Sequence, residues 1–228
     1  MKRQNQVMST THSGLQVHYF TFNPFQENTY VIWDETGECI LVDPGCYDAE
    51  EKQELEHFIT AKNLTPVKLI NTHAHIDHVL GNSFVAAKWN LLPELHATDL
   101  ALLKSAPVYG EMWGIRPEPS PEPEVFLNEG DQVKFGNTTL DVLFVPGHCP
   151  GHIALYSRKH KVIFSGDVLF QNSIGRTDLP GGDYDELIQS IVDKLMVLEN
   201  DVVVYSGHGP STTIGDERRN NPFLYGKL

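Results

Sequence analysis

Apolar residues fall along this chain in short blocks whose spacing switches between two and about four. Near the start, "LQVHYFTF" (15–22), "NTYVIWD" (28–34) and "ECILVDPG" (38–45) are rich in β-branched and aromatic residues and bounded by Asn, Asp, Pro or Gly. Such blocks predict strands that end in turns. "DAEEKQELEHFITAKN" (48–63) changes to helical spacing through Leu55, Phe58 and Ile59, with acids at its start and Lys62 near its end, which suits the helix dipole. "VKLI" (67–70) predicts a short buried strand. "VLGNSFVAAKWN" (79–90) predicts the next helix, placing Asp77 and His78 near its N-terminus, and "DLALLKSA" (99–106) predicts another short one.

A second series begins after residue 124. "DQVKFG", "TTLDVLFVPG", "IALYS" and "KVIFSGD" read as strands, "DYDELIQSIVDKLMVL" as a helix, "DVVVYSGHG" as a strand, and a short helix follows from Ser211. Strands and helices thus recur in two comparable halves, about 1–105 and 125–228. That recurrence predicts a single α/β domain with helices outside two sheets. Between the halves, "APVYGEMWGIRPEPSPEPE" (106–124) predicts a crossover with an extended Pro-rich end, since proline cannot join a sheet interior. Tyr109, Met112 and Trp113 on this segment suit either a lid over a site or aromatics packed on the core.

The chain has 228 residues, enough to bury a substantial core, and a formal charge of −13 from 30 acids and 17 bases. It has no long basic run to attract nucleic acid or anionic membrane; the expected partner is a small-molecule substrate, and oligomeric state is left open. "MKRQNQVMSTTHSG" at the N-terminus has basic residues but no apolar h-region, and no apolar stretch is long enough to span a bilayer, so a cytoplasmic location is expected. Cys39, Cys46 and Cys149 make a poor disulfide framework. Cys39 and Cys46 read as small buried hydrophobes, whereas Cys149 stands beside a candidate ligand.

The candidate chemistry is concentrated after "VKLI". "NTHAHIDHVLGN" (71–82) sets His73, His75, Asp77 and His78 within six positions. The spacing of two at 73, 75 and 77 does not fit a helix repeat, and crowded imidazole and carboxylate groups are costly inside a protein unless partnered. A zinc-like cation would partner them. Three later stretches set a polar group where an apolar strand ends in a glycine-rich turn: His148 in "VPGHCPGH", Asp167 in "FSGD" and His208 in "VYSGHGP". Loops at such strand ends commonly carry function in layered α/β folds.

"HAHIDH", then "PGH", "GD" and "GHG" in that order resemble the metallo-β-lactamase superfamily, over nearly the whole chain. The resemblance implies a four-layer αββα sandwich with a metal site at one edge, between the two sheets. Carried over residue by residue, His73, His75 and His148 look like ligands of a first metal. Asp77, His78 and His208 look like those of a second, with Asp167 bridging, and Asp77 and Asp167 are the candidate catalytic carboxylates. "VDPG" resembles the family's early aspartate motif, which makes Asp43 a residue that orients the ligand loop, a role compatible with turn initiation. The implied cofactors are two divalent ions, zinc first, with iron or manganese as alternatives.

Departures within the family narrow the chemistry. Its true zinc β-lactamases do not use a bridging aspartate, so Asp167 argues against lactam hydrolysis. The flavo-diiron branch has a carboxylate where this chain has His75, and there is no room for the inserted domain of the nucleic-acid-processing branch. "LFQNSIGRTDLPGGDYDELIQSI" (169–191) resembles the short glyoxalase II-like hydrolases, which implies hydrolysis of thioesters of the hydroxyacyl-glutathione kind. Only 228 − 208 = 20 residues follow His208, where full-length glyoxalase II adds a helical region that contacts glutathione; this departure counts against glutathione as the thiol carrier. The rival reading is a persulfide dioxygenase with one iron on His73, His148 and Asp167, and a closed structural zinc module is a third. Arg176 in "GRTD" suits an anionic substrate group or a local ion pair with Asp178 or Asp183. His152 is expected to make a structural hydrogen bond rather than to bind metal.

Overall fold

Side-chain alternation sorts the strands into layers. In the computed structural model, which describes residues 9–227, strand Glu27–Trp33 turns Tyr30 and Ile32 into one apolar cluster and Val31 into another, as the two-residue period of a strand requires. Residues 1–8, which hold much of the N-terminal stretch read above for a leader, lie outside the described range.

The first sheet contains β1 (Ser9–His12), β2 (Leu15–Phe22), β3 (Glu27–Trp33), β4 (Glu38–Val42), β5 (Thr65–Ile70), β6 (Pro93–Leu95) and β7 (Val125–Phe126), neighbours in that order. The pairs from β1 to β4 are antiparallel, with Tyr19 opposite Tyr30 and Ile32 opposite Ile40; those from β4 to β7 are parallel. The second half of the chain supplies β8 (Gln132–Phe135), β9 (Thr138–Phe144), β10 (Ile153–Ser157), β11 (Val162–Gly166), the small hairpin β12 (Leu169–Phe170) and β13 (Ser173–Ile174), β14 (Val203–Ser206) and β15 (Thr212–Thr213). The second sheet runs β15-β14-β11-β10-β9-β8, with β11 and β14 parallel.

The two sheets face each other across Val17, Ile32, Ile40 and Ile70 from the first and Val142, Ile153, Leu155 and Phe164 from the second. On the outer face of the first sheet, Leu41 and Leu69 pack with Leu55 and Ile59 of α1 (Ala49–Ala61). Asp48 caps that helix by accepting from Glu50 N and Glu51 N, satisfying donors the first turn leaves free. Cys39 and Cys46 lie buried in the same layer as free thiols, and burial pushes the Cys39 thiol up to about 12. On the far side, Ala154, Ile163 and Val204 meet Leu187, Ile191 and Leu195. The result is the expected αββα order of layers.

Four helices depart from expectation. The helix expected over 79–90 is two pieces, α2 (Ile76–Val79) and α3 (Asn82–Trp89), so Asp77 and His78 lie on a separate single turn. Gly81 makes the break: its N–H donates to Pro44 O at 2.7 Å, and a Cβ there would press on Pro44 O and Cys46 Sγ. The expected short helix at 99–106 is α4 (Leu100–Met112), which runs through Pro107 into the stretch read as a crossover. α5 (Tyr184–Ser190) passes into a π-helical turn at Ile191–Leu195, and α6 (Ile214–Asn220) starts three residues after Ser211. β7 lies beyond the Pro-rich link yet pairs with β6, so the first sheet borrows its last strand from the second half. Among the described residues, no helix is long and apolar enough to cross a membrane.

Candidate metal centre

β5 delivers the chain into a loop rather than straight into a helix. Asn71 Nδ2 donates to His78 O at 3.1 Å, and Asn82 Nδ2 donates to Asn71 Oδ1 at 2.9 Å, so the side chains that flank the loop tie off its backbone. His75 stays extended (φ −63°, ψ 150°) before α2 begins. His73 and His78 are fully buried, whereas His75 and Asp77 are half-buried. The remaining candidates arrive from the second sheet: His148 after β9, Asp167 after β11 and His208 after β14.

All seven meet. His73, His75 and His148 each place a donor atom within 4.8 Å of the others, and so do Asp77, His78 and His208. Asp167 lies between the two sets: Oδ1 is 3.4 Å from His78 Nε2, and Oδ2 is 3.5 Å from His208 Nε2 and 3.6 Å from His148 Nε2. Asp77 Oδ2 is 3.1 Å from His208 Nε2. Within this cluster His73 Nε2, His78 Nε2 and Asp167 Oδ1 are buried without a hydrogen-bond partner. Buried orphaned atoms are expensive, and cations among them would satisfy all three at once, so the residues fit a metal site.

Electrostatics sort the two sets. Burial, and then the neighbouring imidazoles, hold His73 well below its usual range, and burial with His148 brings His75 down to about 3; both are neutral and present lone pairs. Burial also works against charge on His78, but Asp77 and Asp167 outweigh it and hold His78 well above the usual range. Burial raises Asp167 and Asp77, yet His78 and His208 pull both carboxyls below theirs.

Three imidazoles are oriented alike. Nδ1 of His148 donates to Arg176 O at 2.7 Å, Nδ1 of His208 to Gln26 O at 3.1 Å, and Nδ1 of His78 to Asp43 Oδ2 at 3.1 Å, which turns each Nε2 toward the centre, where it would be the atom offered to a cation. Asp43 also accepts from Thr72 N at 2.7 Å and Thr72 Oγ1 at 2.6 Å. Its carboxylate is therefore taken up by bracing, although an oxygen of it also lies within 4.8 Å of donor atoms of His73 and His78. Asp43 adopts φ +50°, a conformation that costs a non-glycine residue energy and persists where surroundings impose it. His152 behaves as a structural residue: its Nε2 accepts from Asp167 N at 3.0 Å and its ring stacks on His73 at 4.6 Å.

Two braces carried no signal in the sequence. Asn23, in the β2–β3 turn, donates from Nδ2 to Asp77 O at 3.0 Å. Asp99, fully buried, accepts from Ala74 N at 2.9 Å, Gly151 N at 2.6 Å and Cys149 Sγ at 3.2 Å. It ties the loop of His73 and His75 to the loop of His148. An aspartate opening a helix reads as a cap, and Asp99 makes no such bond. Burial raises both the Asp99 carboxyl and the Cys149 thiol, and Cys149 points at Asp99 rather than at the donor cluster.

Above the donors lies a cavity of about 490 Å³. Tyr109 and Trp113 both line it, from the end of α4 rather than from a loop, whereas Met112 is exposed and not among its lining residues. Arg176 lines it too, but its guanidinium is paired with Asp178 through two contacts of 2.7 Å, the local ion pair expected as its alternative. Phe25, Phe170, Ile174 and Leu179, which the sequence did not single out, complete much of the wall.

Two facing sheets with a histidine–aspartate cluster at their edge define a family. Residues 22–208 match the metallo-beta-lactamase superfamily, and the chain belongs to it; it is a metallo-hydrolase of that superfamily. It is 37% identical over 219 residues to hydroxyacylglutathione hydrolase GloC of Haemophilus influenzae, covering 93% of this chain and 100% of GloC. Among solved structures, BLEG-1, described as a B3 metallo-beta-lactamase, is similar with TM-score 0.84 and 37% identity over 92% of this chain and 100% of that one. TTHA1623 in a di-iron-bound form is similar with TM-score 0.81 and 40% identity, over 90% and 99%.

Proposed function

We propose that the protein is a binuclear metallohydrolase that cleaves thioesters, the bond type split in hydroxyacyl-glutathione hydrolysis. One observation carries the reading: two three-donor sets face each other across Asp167 at the floor of a cavity. In this reading His73, His75 and His148 would hold one divalent ion and Asp77, His78 and His208 the other, with Asp167 placed between the two sets. Bound there, a pair of such ions would supply Lewis acidity and bring the pKa of water toward about 7. Asp167, facing both sets, orients the attacking water, and Asp77 fixes His208 beside it. The His148 and His208 lone pairs are held inward by Arg176 O and Gln26 O. A thiolate leaves readily, so no strong protein acid is required, and the cavity lining supplies none beyond the cluster.

The name of GloC, matched over its whole length, supports a thioester substrate, and the di-iron form of TTHA1623 supports two ions and makes iron a candidate beside zinc and manganese. Because BLEG-1 is described as a lactamase, a lactam belongs in the same assay; Asp167 is our reason for preferring the thioester. The test is elemental analysis of protein purified anaerobically without added metal, followed by thioester turnover and oxygen uptake on a persulfide. Two ions per chain with thioester turnover is the expected result. A single iron, no affinity for a second metal and oxygen uptake without thioester turnover would overturn it.

A further inference from the structure

The walls of the cavity bear on the substrate in a way the donor cluster does not. Phe25, Leu102 and Trp113 line it from the β2–β3 turn and α4, and Phe170, Ile174 and Leu179 from the small hairpin and the loop beyond. Phe25 stands edge-on to Trp113 at 5.8 Å, yet Trp113 remains 65% exposed, leaving apolar surface at the mouth for a ligand to cover. Above the floor, Arg176 is the one cationic side chain in the described lining besides histidines, and both its contacts go to Asp178. On these walls a carrier bearing carboxylates, such as a tripeptide thiol, meets no cation beyond that paired Arg176, while an alkyl or aryl group meets matching walls.

We propose that, within the hydrolase reading above, the substrates are acyl thioesters with an apolar acyl arm on a carrier low in negative charge. The decisive experiment gives metal-loaded protein acetyl, butanoyl, hexanoyl and benzoyl thioesters of N-acetylcysteamine, with S-lactoylglutathione as reference. Burial of the arm raises kcat/KM roughly threefold per added methylene, on the order of a hundredfold from acetyl to hexanoyl. Trp113→Ala flattens that slope, and as an exposed position it puts little of the fold at risk. Calorimetric binding of acetate, butanoate and hexanoate provides a readout independent of turnover, with a heat-capacity change that grows more negative along the series. A rate that is flat or falling with chain length, together with faster turnover of S-lactoylglutathione, overturns this inference and leaves the hydrolase reading intact. No turnover of any thioester by protein shown to hold its metals overturns both.

Discussion

Replacing Asp99 tests whether the two ligand loops are held together by one carboxylate. In the native chain it accepts two backbone N–H groups, from Ala74 and Gly151, and the Cys149 thiol, with no solvent exposure. Asp99→Ala leaves both N–H groups buried without an acceptor, at roughly 1–3 kcal/mol each, so about 4 kcal/mol in total. Asp99→Asn keeps one acceptor and also relieves the burial that raises the carboxyl's pKa, so its cost is about 1–3 kcal/mol. For a chain of this size the alanine variant should melt about 8–16 °C lower, short of unfolding a domain of ordinary stability. Urea denaturation at pH 7 measures the stabilities, and competition with a chromophoric chelator measures metal affinity, which should fall about 10–100-fold as it does when residues behind metal ligands are lost. An alanine variant within about 0.5 kcal/mol of wild type, or one that is destabilised with unaltered metal affinity, refutes the reasoning. The first result means other contacts hold the loops, and the second that Asp99 supports the fold without positioning the ligands.

Gly207→Ala would drive a Cβ into Asp167 Oδ1 and against His78 Cε1; the variant should fold but lose metal stoichiometry, read by elemental analysis. Cys149→Ser should retain turnover and lie within about 1 kcal/mol of wild type, because a hydroxyl can replace the thiol as donor to Asp99; large loss with metal content intact would mean a missed thiol role. With all three thiols buried, the native protein should react with a thiol reagent only on unfolding. His18 stacks on Phe58 at 4.0 Å, and burial, then Lys62, lowers its pKa to about 4. Its contribution is full above the unfolded value near 6.5 and is lost as pH falls through about 4, at most about 3 kcal/mol; His18→Phe in metal-free protein should remove that part of the acid slope in urea titrations at pH 7 and 4.5.

What the sequence revealed depended on how far each feature repeats along the chain. β2, β3 and β9 alternate or run apolar for five residues or more and were legible; β6, β7, β12 and β15 have two or three residues, too few for a period to register. The helix break at Gly81 was invisible because apolar spacing continues across it, and α4 was read short because Pro107 and Gly110 look like stops. Gly110 is there for a close approach instead, since a Cβ would meet Ile115 O and Pro117. The seven cluster residues stood out because each follows an apolar strand or sits in the dense "HAHIDH" run. Asn23, Gln26 and Asp99 act through bonds to residues 25–182 positions away, and such bonds leave no local pattern to read.

The donor cluster joins two halves that must already be in place. His73 to His78 follow the first sheet, whereas His148, Asp167 and His208 follow the second. Across the seam Asn28 N donates to Gly207 O at 2.7 Å, Tyr30 OH to Ser206 O at 2.6 Å, and Asn28 Nδ2 to Ser206 O at 3.1 Å. Asp99 closes the other side through Ala74 and Gly151. Without an ion, the cluster opposes folding, because three of its polar atoms are buried and unpartnered. An ion that binds the folded chain reverses that term and stabilises it in proportion to affinity. The bonds made across the seam by Asn28, Tyr30 and Asp99 hold the seven side chains together in the arrangement that such an ion would meet.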